Sequence, residues 1–163
     1  MQFSSMEAAI LKDSDAQWRG KIQTATGCDV EAFDDGAPSL DIPSSQLLRV
    51  LAVLKSQKDI QCRILTDIVV IDRPWQDNRF ELNYLLTSPL CQQRVIVRTF
   101  IEEGDPIRSI SSLYASAALH EAETREQFGI LFTNAPENNP VLFARGRDSA
   151  PKESSSFENS PAS

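Results

Sequence analysis

The chain has 163 residues, 41% of them hydrophobic and 24% charged, which predicts one ordinary globular domain; a second full domain is not expected. No apolar run approaches the roughly 18 to 20 residues that cross a bilayer, so we expect any membrane contact to come through a partner. The net charge of −7, with no basic stripe, argues against nucleic acid as a partner, because that affinity comes largely from Lys and Arg that neutralise phosphates.

The N-terminus and the cysteines contain no processing or metal signal. The first residues, MQFSSMEAAILKDSD, have neither the layout of a secretory signal nor that of a transit peptide, so we expect an uncleaved chain or one whose leader is already gone. Cys28, Cys62 and Cys91 are widely spaced and form no Cys-x-x-Cys pair. This spacing favours reduced, buried or half-buried thiols over a disulfide framework, a zinc site or an iron–sulfur site.

The first third of the chain predicts a helix, a hairpin and a second helix. Apolar residues recur at three- and four-residue spacings over Ser5–Thr26, which predicts one helix or two short ones ending at Gly27. Residues 28–42 read as a short hairpin at a sheet edge, because their prolines limit further pairing. Pro43-Ser44-Ser45 then signals the start of a helix of about three turns.

The middle of the chain predicts three long strands. Residues 64–71, 79–86 and 93–101 are rich in β-branched and apolar side chains, and their short connections make the strands antiparallel. Trp18 and Trp75 are expected to pack in the core or against the sheet edge.

Residues 114–132 form an Ala-rich, carboxylate-rich pattern that predicts a helix ending at Phe128-Gly129-Ile130, with Ser111-Ser112 as its candidate cap. The fold class is therefore α+β: a mixed sheet with three long antiparallel strands, flanked by helices and closed by this acidic helix. We place the domain at residues 1–132. Residues 133–163 are too polar to fold alone and predict an extended or disordered tail, or one laid along a partner.

The carboxylates of this helix first suggest catalysis. His120-Glu121 begins the zinc-peptidase motif H-E-x-x-H, but Thr124 stands where the second histidine is required and the chain has no other histidine. Glu121 and Glu123 are two residues apart and so lie on different sides of a helix. A solvated or interfacial Glu121, paired with Arg125 one turn later, is therefore favoured over a free-standing hydrolase that uses Glu121, Glu123 and His120.

Three stretches resemble the family of the C subunit of proton-pumping NADH:quinone oxidoreductase, respiratory complex I. ILTDIVVID followed by RP resembles the family's acidic-flanked strand, with Asp67 and Asp72 in the acidic places. RFELNYLLTSPLCQQRVIVRTFIEEGDP is similar to its hairpin and acidic loop. LHEAETREQFGILF resembles the signature W-x-E-R-E-x-[YW]-[DE]-x-F-G-I-x-F, with Leu119 at the Trp position, Ala122 at the Arg position and Arg125 at the aromatic one.

The resemblance implies a structural subunit of the peripheral arm that packs on the quinone-site large subunit and supports electron transfer from NADH to quinone. It implies no chemistry and no cofactor in this chain, with iron–sulfur clusters and FMN in partner subunits. The alternative assembly is the equivalent subunit of a membrane-bound energy-converting hydrogenase. In either case the expected place is the matrix side of the mitochondrial inner membrane or the cytoplasmic side of a bacterial plasma membrane.

The resemblance also implies which residues meet a partner. Acidic side chains would face partner arginines through charge-assisted hydrogen bonds that fix the register. The family's basic C-terminal extension is reduced here to two arginines. The expected interface residues are Asp67, Asp72, Glu121, Glu123, Arg125, Glu126, Phe128, Gly129, Ile130, Arg145 and Arg147.

Overall fold

The computed structural model describes residues 5–32 and 37–136, with side chains from Asp15 onward. Most of the predicted tail, including Arg145 and Arg147, lies outside these residues. The elements, in chain order, are α1 (Ser5–Thr26), β1 (Glu31–Ala32), β2 (Pro38–Asp41), a 3-10 turn (Ser44–Gln46), α2 (Leu47–Ser56), β3 (Ile64–Asp72), β4 (Phe80–Ser88), β5 (Gln93–Ile101), β6 (Ile107–Arg108), α3 (Ala117–Phe128) and β7 (Phe132–Thr133).

A five-stranded mixed sheet organises the fold, in the order β1-β2-β5-β4-β3. β3, β4 and β5 form the predicted antiparallel meander, and β2 joins β5 in parallel. The predicted hairpin is the antiparallel pair of β1 and β2 at one edge of the sheet. The α+β class and the mixed sheet are thus confirmed.

One apolar cluster joins the helices to the sheet. Leu82 and Tyr84 of β4 and Val97 of β5 are fully buried with Leu51 of α2, and Trp18 of α1 belongs to the same cluster, as predicted. Of the cysteines, Cys62 is buried and the other two are half-buried. Among the helices of the described residues, none combines the length and the apolar character needed to cross a membrane.

Trp75 was expected to pack in the core or against the sheet, and this was wrong. Its side chain is 80% exposed in the turn between β3 and β4, where the amide of Gln76 donates to the carbonyl oxygen of Arg73 at 2.9 Å.

The start of the last helix also differs from the prediction. α3 begins at Ala117, and Ser111 lies in a turn in which its amide donates to Oγ of Ser109. Tyr114 holds that turn to the core by donating its hydroxyl to the carbonyl oxygen of Cys62 at 2.7 Å. Ser111-Ser112 therefore does not cap α3.

A second sheet consists of the short strands β6 and β7. Phe132 pairs with Ile107 and Thr133 with Arg108, in parallel. This pair joins the chain just before α3 to the chain just after it.

Candidate partner interface around the last helix

Glu121 fastens α3 to the segment that precedes it. Its Oε2 accepts a hydrogen bond from Oγ of Ser109 at 2.6 Å, and its Oε1 accepts one from the amide of Ile110 at 2.7 Å. The glutamate is 2% exposed. The prediction of Glu121 as a solvated or interfacial charge paired with Arg125 is corrected by these contacts, because both oxygens are satisfied inside the fold.

Burial also changes the protonation of this carboxyl. Removal from water raises the pKa of Glu121, and the bonds from Ser109 and Ile110 oppose that shift only in part. Tyr84 lies near enough to respond: burial raises its pKa, and the charge of Glu121 raises it further. The last helix is therefore anchored by an acid whose charged form is disfavoured.

We expect this acid to make the protein less stable as the pH rises. A raised pKa means that the folded state binds more protons than the unfolded state, so the stabilisation is fully present below the ordinary value of 4.5 and is lost as the pH rises through the folded-state value. Urea unfolding at a series of pH values should show that Glu121→Gln lacks this fall, so that the wild type loses stability relative to the variant above pH 4.5. Parallel curves for the two proteins would contradict the assignment.

The other expected interface residues in α3 and just after it differ in their exposure to solvent. Glu123, Arg125, Glu126 and Gly129 are exposed, and Ile130 is buried. Phe128 is half-buried and packs edge-on against Phe80, with ring centroids 6.3 Å apart. Leu119, at the position where the resembling family has Trp, is 40% exposed. α3 therefore presents charge and one apolar side chain outward, while Glu121 holds its inner side.

Gly129 ends α3 in a conformation that favours glycine. Its φ is +71° and its amide donates to the carbonyl oxygen of Arg125 at 2.9 Å. We expect Gly129→Ala to lower the free energy of unfolding by about 1 kcal/mol, because a Cβ is strained at this φ even though the space around it is open. Gly20→Ala, inside α1 and equally unobstructed, is the matched control and should stabilise the protein slightly in the same thermal melts. Equal effects of both changes would refute the role of the left-handed φ.

The two aspartates of β3 have partners within the chain. Asp67 follows a break in the β3–β4 register, accepts from the amide of Ile68 at 2.8 Å and lies 3.3 Å from Nδ1 of His120. Asp72 receives two hydrogen bonds from Arg79, at 2.8 and 2.9 Å, which hold the pKa of Asp72 below its usual range. Asp67 thus links β3 to α3. Asp72, the last residue of β3, is joined across the connecting turn to Arg79, which directly precedes β4.

The three groups of the hydrolase alternative are not brought together. His120 turns to Asp67, Glu121 turns inward to Ser109, and Glu123 is exposed. Nor do the described residues contain a group of three or more His, Cys, Asp or Glu side chains that could hold a metal ion. The hydrolase alternative has no support in this geometry.

A buried polar cluster on β4 was missed by the sequence reasoning. Glu81 is 2% exposed, pairs with Arg73 and accepts from Nδ2 of Asn83 at 3.1 Å. Its only signal was a charged residue inside the apolar run RFELNYLL. Ser109, which binds Glu121, gave no signal at all, because its role depends on the path of the chain before α3.

The sequence model of the family described as "Respiratory-chain NADH dehydrogenase, 30 Kd subunit" matches residues 40–154, which include β3 to β5 and α3. The chain belongs to this family.

Named relatives agree with this assignment. The 30 kDa-family chain is 30% identical over 123 residues to "NADH-ubiquinone oxidoreductase subunit 9" of Reclinomonas americana, covering 76% of this chain and 60% of that protein. It is 32% identical over 118 residues to the C subunit of the NADH-quinone oxidoreductase of Sinorhizobium medicae, covering 71% and 58%. The chain thus spans about three-fifths of the length of these relatives.

Solved structures extend the likeness to the fold. A trypsin-resistant fragment of Nqo5 matches with a TM-score of 0.58 at 25% identity, covering 80% of this chain and 98% of the fragment. A chain of an archaeal membrane-bound sulfane sulfur reductase matches with a TM-score of 0.63, covering 85% of this chain and 76% of that one. Its identity of 16% shows a shared fold alone.

Proposed function

We propose that this chain is a non-catalytic structural subunit in the peripheral arm of an NADH:quinone oxidoreductase, where it packs on the large subunit that forms the quinone site. The observation that carries the proposal is the family match over residues 40–154. The names of the relatives, NADH-ubiquinone and NADH-quinone oxidoreductase subunits, support the same assembly.

The geometry of α3 supports a docking role. Internal contacts of Glu121 fasten the helix to the segment before it, which leaves the outer side chains of the helix to a partner. Glu123 and Glu126 are exposed on it, and carboxylates on a rigid helix can set the register of a partner's arginines. The iron–sulfur clusters and FMN would then lie in partner subunits, and this chain would contact the membrane only through those partners.

Deletion of the gene for this chain in the source cell, followed by complementation with the wild-type gene, tests this proposal. We expect deletion to abolish assembled NADH:quinone oxidoreductase, and the wild-type chain to restore it. A chain with His120→Ala and Glu123→Gln should give the same turnover per assembled enzyme within about twofold, since neither group would do chemistry.

Two results would count against the proposal. Normal NADH:quinone activity without the chain would show that the chain is not needed in that enzyme. If a hydrogen-dependent activity were lost instead, the chain would be assigned to an energy-converting hydrogenase. A large loss of turnover per assembled enzyme in the His120→Ala, Glu123→Gln chain would mean that these residues take part in the reaction.

A further inference from the structure

A groove of about 250 Å³ opens between the turn after β5 and the end of α3. Its floor is apolar: Phe80, Ile101 and Ile130 are buried there, and Phe128 is half-buried. Leu131, on the wall, is 54% exposed beside the buried Ile130. The apolar surface that the described part of the chain leaves uncovered in the groove therefore comes from Phe128 and Leu131.

The rim of the groove is acidic. Glu102, Glu103 and Asp105 are all exposed on a tight turn, in which Gly104 has φ +88° and the amide of Asp105 donates to the carbonyl oxygen of Glu102 at 3.2 Å. Glu103 is paired with Arg79 at 2.7 Å. Glu102 and Asp105 make no ion pair with any side chain in the described ranges, so two carboxylates at the rim are left without a cation.

An apolar floor below unpaired carboxylates complements one kind of side chain. Arg and Lys bury an aliphatic stem along apolar surface and keep a cationic head at the edge. The chain already holds one of its own arginines in this way: the guanidinium of Arg79 lies 4.9 Å from the centre of the Phe80 ring while it pairs with Glu103. The same chemistry is available at Glu102 and Asp105, with which no cationic side chain of the described residues pairs.

We propose that this groove is the docking site for an arginine- or lysine-bearing loop of a partner subunit, with the stem on Phe128 and Leu131 and the cation between Glu102 and Asp105. The identification of the partner as another subunit of the same assembly rests on the proposed function. A second copy of this chain is a poorer occupant, because each copy carries a net charge of −7.

The test uses the assembly purified through a tag on the full-length chain. The groove variant is Glu102→Gln with Asp105→Asn, and the matched control is Asp29→Asn with Asp59→Asn, which removes the same charge from exposed positions outside the groove. The rate at which partner subunits dissociate from the tagged chain is measured at a series of rising salt concentrations. We expect the control to follow the wild type and the groove variant to release its partners about tenfold faster, because two charge-assisted contacts are lost.

The outcomes separate the two proposals. If the wild type retains partners and the groove variant matches the control, the groove proposal is overturned while the proposed function stands. A wild-type chain that brings no partner subunits overturns both. A dimer of the isolated chain that only the groove variant dissociates would assign the groove to a second copy and so overturn the partner-subunit occupant.

Discussion

We expect Glu121→Ala to lower the free energy of unfolding by about 2 kcal/mol. The change leaves the amide of Ile110 and the hydroxyl of Ser109 buried without the oxygens that now satisfy them. It also leaves a space under α3 at the point where the helix meets the segment before it. Urea unfolding at neutral pH, followed by circular dichroism, measures the loss.

Two further variants separate the lost contact from the lost charge. Glu121→Gln keeps an acceptor for Ile110 and removes the buried charge, so at neutral pH it should be clearly more stable than Glu121→Ala and no less stable than the wild type. Glu123→Ala changes an exposed carboxylate on the same helix and should stay within about 0.5 kcal/mol of the wild type. A Glu121→Ala protein as stable as Glu123→Ala would show that Glu121 does not anchor α3.

The second large effect is expected at the buried carboxylate of β4. Arg73→Ala should lower the free energy of unfolding by about 2 kcal/mol, since among the described residues it leaves the buried Glu81 with only Nδ2 of Asn83 as a side-chain donor. The effect is smaller than for a fully buried pair because the Arg73 side chain is 35% exposed and its charge is partly screened by water.

A rescue variant tests the cause of that loss. Adding Glu81→Gln to Arg73→Ala removes the unpaired charge and should recover most of the stability in the same unfolding experiment. If the double variant is no more stable than Arg73→Ala, the contribution of Arg73 is packing rather than neutralisation of Glu81.

Local pattern was sufficient to predict most of the fold. Apolar periodicity predicted α1 to its end at Gly27, and the alternation and short connections predicted β3 to β5 as a meander. The errors arose where distant contacts decide. Tyr114 donates to the carbonyl oxygen of Cys62, more than fifty residues earlier in the chain, and α3 begins only at Ala117.

The candidate site was predictable only in part, for a similar reason. The register of Phe128-Gly129-Ile130 located the end of α3, which the left-handed Gly129 confirms. The inward turn of Glu121 was not predictable, because a helix pattern does not say which side meets Ser109. The groove was missed because its two sides, residues 102–105 and 128–131, are separated along the chain and meet only when β6 pairs with β7.

Separation of native membrane complexes from the source cell is the most direct test of the proposed scaffold role. Mild detergent extracts are run on a native gel, stained for NADH-dependent reductase activity and probed for this chain. We expect the chain to migrate in the same band as the quinone-reducing activity, together with the large subunit that forms the quinone site. A chain found wholly outside that band, in an extract where the activity is intact, would contradict its assignment as a structural subunit of the enzyme.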